Sequence, residues 1–136
     1  MPIMLNTILQ SEGFELSEVR LLRHQDNRSE KDRTPYKLWC NDLSKFDDYQ
    51  ITQGINHESK LRGKYWASFV GTPSDETLFV GIYAVGAHKL IEEDRQKPHC
   101  DGVDKAGSCH VYELTRESRL SDLIGKMTIE WGEGTR

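Results

Sequence analysis

Lys64-Tyr65-Trp66-Ala67-Ser68-Phe69-Val70-Gly71-Thr72-Pro73-Ser74-Asp75-Glu76-Thr77-Leu78-Phe79-Val80-Gly81-Ile82-Tyr83-Ala84-Val85-Gly86 decides the fold. Side chains on a strand alternate between its two faces. In the first half Trp66, Ser68 and Val70 therefore share one face, and Tyr65, Ala67 and Phe69 the other. In the second half Leu78, Val80, Ile82 and Ala84 oppose Phe79, Gly81, Tyr83 and Val85. Both faces of both halves are largely apolar, which suits central strands covered on both sides rather than a one-sided surface hairpin. Thr72-Pro73-Ser74-Asp75 supplies the turn, because proline pre-sets φ and the Ser and Asp side chains bond nearby backbone.

Upstream, Ile3 to Leu9 reads as a short amphipathic helix ended by Ser11-Glu12-Gly13, with Gly13 as C-terminal cap. Val19 to His24 reads as a strand, followed by the almost wholly polar stretch from Gln25 to Arg33. Thr34-Pro35 then opens a helix, threonine as cap and proline in the first turn. Trp39, Leu43, Phe46, Tyr49 and Gln53 recur at spacings of three and four, so one helix from Tyr36 to about Gln53 is expected, closed by Gly54. A polar, basic link from Asn56 to Lys64 leads into the central strands.

Downstream of Gly86, residues 89 to 107 hold Glu92-Glu93-Asp94-Arg95 and Asp101-Gly102-Val103-Asp104 without apolar periodicity, the pattern of a long acidic loop. Cys109 to Leu114 and Lys126 to Trp131 read as strands, with a short helix or turn from Ser118 to Ile124 between them. The chain stops only a turn after that last strand, so we expect a single domain over 1–136 cut from a longer protein.

The chain's 136 residues suffice for one core, but 36% hydrophobic content and a mean hydropathy of −0.67 imply long solvated loops. No apolar run approaches the roughly 18 residues of a membrane span. With no basic segment before the apolar start, and an odd three cysteines, a cytoplasmic location without membrane contact is expected. Net charge is −4, yet residues 20 to 64 carry +3 and the remainder −7. A local basic face can therefore exist on an acidic chain.

For chemistry, the chain lacks a Gly-x-Ser-x-Gly elbow, a His-Glu-x-x-His pair and a Gly-rich phosphate loop. His99-Cys100 and Cys109-His110 could supply four zinc ligands, but the adjacent pairs do not have a knuckle's spacing, and neighbours on a strand point apart. No metal or other cofactor is expected. Arg23, His24, Trp39, Tyr49, Gln53, Tyr65, Trp66 and Ser68 remain as a candidate pocket: rings to stack on a planar base, and amide, hydroxyl and guanidinium groups to bond its edge. Arg28, Lys31, Arg33, Lys60, Arg62 and Lys64 are the candidate phosphate contacts. The bland alternative is that the rings are core and the polar stretches solvated loops.

Val19-Arg20-Leu21-Leu22-Arg23-His24-Gln25, Phe46-Asp47-Asp48-Tyr49-Gln50, Tyr65 to Val70, Leu78 to Tyr83, Leu120 to Gly125 and Ile129-Glu130-Trp131-Gly132 resemble the region ahead of the catalytic domain in some bacterial GIY-YIG nuclease proteins. Gly81-Ile82-Tyr83 itself matches the first signature tripeptide of those nucleases. About ten residues on, however, stand Glu92-Glu93-Asp94 instead of the second tripeptide, so no nuclease site is expected here. The resemblance implies a nuclease domain after Arg136 in the parent. Phe79-Val80-Gly81-Ile82-Tyr83 also resembles, over a shorter length, a strand of PUA-like barrels, several of which take a modified base into an aromatic pocket.

The expectation is an α+β domain with a mixed, strongly bent sheet or a small PUA-like barrel and flanking helices. Its expected role is to target a modification-dependent restriction-type nuclease to DNA carrying a methylated or hydroxymethylated base, without cutting. A protein-interaction or dimerisation module and a stand-alone enzyme are the alternatives, and the sequence leaves the oligomeric state open.

Overall fold

The computed structural model describes residues 3–24, 34–54, 62–92 and 109–130. They form helices α1 (Ile3–Ser11), α2 (Pro35–Asn41) and α3 (Leu43–Ile51) and strands β1 (Val19–His24), β2 (Thr52–Gly54), β3 (Tyr65–Gly71), β4 (Thr77–Ile91), β5 (Cys109–Glu117) and β6 (Thr128–Ile129). The sheet order is β1-β3-β4-β5-β2, with β6 paired to β4. β1 runs parallel to β3 and every other pairing is antiparallel. Among the described residues β1 and β2 lie at opposite ends of that order, so the sheet is open and not a closed barrel.

β3 is the buried central strand that its two-sided apolar pattern demands, with everything from Trp66 to Gly71 inside. On one side Ala67 and Phe69 join Leu5, Leu9 and Phe14 in a core that α1 covers. α1 ends as its glycine predicts: Gly13 takes φ +87° and the Phe14 amide donates to the Leu9 carbonyl at 3.0 Å. On the other side Val70 and Val80 pack with Leu38 and Phe46 under α2 and α3.

β4 departs from simple alternation. Phe69 pairs with Phe79 and Ser68 with Gly81, so Val80 is the extra residue of a bulge in which Gly81 adopts φ +140°, a backbone state glycine reaches without strain. The bulge shifts the phase by one. Phe79 and Ile82 consequently both reach the α1 core, while Leu78 and Val80 face α2 and α3.

The expected long helix is two. Asp42, at φ −150° and ψ 81°, breaks it, and its carboxylate caps α3 by accepting from the Lys45 amide at 3.3 Å. Thr34 caps α2 in the same way through Lys37, as its Thr-Pro signal predicts. Leu43 leaves the apolar stripe, 44% exposed. Gln53 belongs to β2 rather than the helix, because the chain turns extended at Thr52 and pairs with β5. β4 also outruns its expected end at Gly86. A second bulge between Val85 and His88 lets it continue against β5, Leu90 opposite His110 and Ile91 opposite Cys109, so residues 89–91 are strand and not loop.

Candidate functional site

The eight residues expected to enclose a base do not converge. Tyr65 is on the α1 side of β3, edge-on to Phe14 at 5.0 Å, its hydroxyl accepting from Arg119 at 3.3 Å. Trp66 is one residue on and so on the opposite face, fully buried and packed edge-on against Tyr112 at 4.8 Å. Ser68 is also fully buried. Alternation on one strand separates the Tyr-Trp pair that the sequence brought together.

The face beneath α2 and α3 holds His24, Trp39, Tyr49 and Gln53. His24 is buried between the rings of Phe46 and Tyr49, centroids 5.6 and 5.1 Å away, and its Nε2 lies 3.3 Å from Gln50 Oε1. Gln53 is buried and donates to the Gln50 carbonyl at 2.6 Å. Trp39 and Tyr49 are half-buried in the α2–α3 core. The Trp39 ring presses on the backbone of Gly125, where a Cβ would come within 2.9 Å of Cη2. These rings pack α2 and α3 onto the sheet.

This face is polar for a core. Gln50, Ser68 and Tyr83 are at most 2% exposed, and Gln50 Nε2, Ser68 Oγ and the Tyr83 hydroxyl are buried without a protein hydrogen bond of good geometry. Burial raises the Tyr83 hydroxyl above its ordinary pKa; the nearby Arg116 guanidinium, 5.3 Å from the ring centroid, works against this. Arg116 also grips Asp47 of α3 through both carboxylate oxygens, at 2.9 and 3.1 Å. Asp48, beside it, is held above the usual carboxylate range by partial burial and then by Asp47 and Asp42.

An open cleft lies elsewhere, at the end of β1. Parallel pairing brings His24 level with Val70 near the end of β3, the β3–β4 turn follows, and β6 pairs with the start of β4. These segments surround a cleft of about 620 Å³ lined by Arg23, Asp75, Glu76, Thr77, Thr128, Ile129 and Glu130. The turn is tied down by bonds from the Thr72 amide to the Glu76 carbonyl (2.9 Å) and from the Asp75 amide to the Thr72 carbonyl (3.0 Å). Asp75 takes φ +62°, a left-handed state that aspartate tolerates. The lining thus combines one guanidinium, three carboxylates, two hydroxyl-bearing threonines and an apolar wall from Ile129.

Of the expected pocket residues, Arg23 alone lines this cleft. Sequence reasoning missed the remaining lining residues because they come from two further segments, 75–77 and 128–130, brought to the end of β1 by the β1–β3 and β4–β6 pairings. Of the expected phosphate contacts, Arg62 and Lys64 are exposed, and Lys64 pairs with Glu18 at 2.7 Å. Arg28, Lys31, Arg33 and Lys60 lie outside the described residues, as do His99 and Cys100. Cys109 is buried, and no cluster of three or more His, Cys, Asp or Glu able to hold a metal occurs among the described residues. Nor is any described helix long and apolar enough to cross a membrane.

No family model, curated protein or solved structure matches this chain.

Proposed function

We propose that this chain is the DNA-targeting module of a cytoplasmic, modification-dependent restriction-type nuclease, and that the base it reads enters the cleft at the end of β1. The support is the lining of that cleft. Its volume falls within the range of small-ligand sites. The edge of a cytosine offers an amino donor beside ring acceptors, which carboxylates and a guanidinium or threonine hydroxyl complement; an apolar wall such as Ile129 suits a methyl group at C5. A base reaches such a site only by leaving the stack, as for other proteins that act on single bases.

Three carboxylates against one arginine make the cleft repel phosphate. In this reading the backbone therefore stays outside, on Arg28, Lys31, Arg33, Lys60, Arg62 and Lys64, with the nuclease domain following in the parent chain. Several such contacts would make affinity fall steeply with salt. The same acidic lining also favours a second reading, a protein-interaction module whose cleft takes a lysine or arginine side chain of a partner.

The deciding experiment is binding of the chain, at two salt concentrations, to matched duplexes carrying cytosine, 5-methylcytosine, 5-hydroxymethylcytosine or N6-methyladenine, with Arg23→Gln and Glu130→Gln in parallel. Preference for one modified duplex, reduced by either substitution, is the expected result. Equal binding to all four removes base reading, and no binding at either salt concentration leaves the interaction module as the better account.

A further inference from the structure

His88 on β4 and His110 on β5 lie on one face of the sheet, because His88 stands opposite Tyr112 and His110 is two residues before it on the same strand. Their ring centroids are 4.8 Å apart. Two imidazoles sharing one tetrahedral zinc ion, at Zn–N distances of about 2.0–2.1 Å, bring their centroids to a separation of about 5 Å.

The surroundings agree with that spacing. His88 is exposed, so an ion can approach from solvent. The Nδ1 atom of His110 is buried without a hydrogen-bond partner, a state that buried imidazole nitrogens rarely keep. Tyr112 flanks the pair, its ring 4.7 Å from that of His88. The bulge between Val85 and His88 sets the phase of β4 here, so the pairing of these two histidines is built into the backbone.

We propose that His88 and His110 form a surface site for a divalent transition-metal ion of the zinc class, with water completing the coordination. The sequence pairs His110 with Cys109. Cys109 is instead buried on the other side of β5, and the partner comes from 22 positions earlier in the chain. The site is independent of the cleft at the end of β1, since none of its residues lines that cleft.

The test is calorimetric titration of zinc chloride alone into the chain and into His88→Asn and His110→Asn, each checked for intact folding by circular dichroism. The expected result is one ion per chain for the unchanged protein and at least about tenfold weaker binding in each variant, as loss of one of two ligands requires. Absence of one-to-one binding in the unchanged chain would overturn the proposal. So would wild-type affinity in either variant, which would put the ion on other ligands. His88→Asn, at an exposed position, keeps the test open if His110→Asn fails to fold.

Discussion

Trp66→Ala separates a core ring from a base-stacking platform. Trp66 is 0% exposed and packs edge-on against Tyr112 at 4.8 Å, with Leu22, Val85 and Leu114 around the pair. Removing a fully buried tryptophan takes away its transfer free energy and leaves a cavity that the central strand cannot close, a loss of about 3–5 kcal/mol. For 136 residues the unfolding entropy near the midpoint is about 0.29 kcal/mol/K, so the midpoint should fall by about 10–17 °C. Urea unfolding at 25 °C followed by far-UV circular dichroism gives the free energy directly, and Trp66→Phe, keeping most of the packing, should lose much less. A loss under about 1 kcal/mol for Trp66→Ala would refute the reasoning, because truncation that cheap belongs to a surface ring.

Other consequences follow from single contacts. Ser68→Ala removes a hydroxyl buried without a partner and should leave stability unchanged or raise it by about 1–2 kcal/mol in the same assay; clear destabilisation would mean that Oγ is bonded. Gly125→Ala should cost about 1–3 kcal/mol, since φ is +74° and the new methyl meets Trp39; a neutral result would show that this loop can move away from α2. Arg119, 2.7 Å from Glu117 and stacked over Phe14 at 3.7 Å, holds the Glu117 carboxyl below the usual carboxylate range. A depressed folded pKa stabilises above the unfolded value and is lost as pH falls through the folded one. Measured across the acid range, the gap between wild type and Glu117→Gln, about 0.2–1 kcal/mol at neutral pH, should therefore close on acidification, and a gap that widens would contradict the pairing.

The central hairpin was legible because two-sided apolar alternation is a strong signal, and β3 obeys it residue by residue. So were the caps at Gly13 and Thr34, where one residue type has one physical job. The split at Asp42 was hidden by a stripe whose spacing continues across it: periodicity records which side a residue faces, not whether the helix between is continuous. The two bulges of β4 were equally hidden, since an extra residue changes the phase without changing the composition. For the site, the sequence grouped rings by type. Tyr65 and Trp66 are chain neighbours on opposite faces, and Trp39, Tyr49 and His24 are spent on packing. Arg23 was singled out and lines the cleft, whereas Thr77, Thr128, Ile129 and Glu130 meet only through pairing that no local pattern announces.

Amide chemical-shift mapping of the isotopically labelled chain, titrated with a duplex carrying a C5-modified cytosine, tests the central claim most directly. The account predicts that the largest shifts fall at Arg23, Asp75 to Thr77 and Thr128 to Glu130, with Trp66 and Tyr112 little changed. Largest shifts around Trp66 and Tyr112, or none at the end of β1, would contradict it.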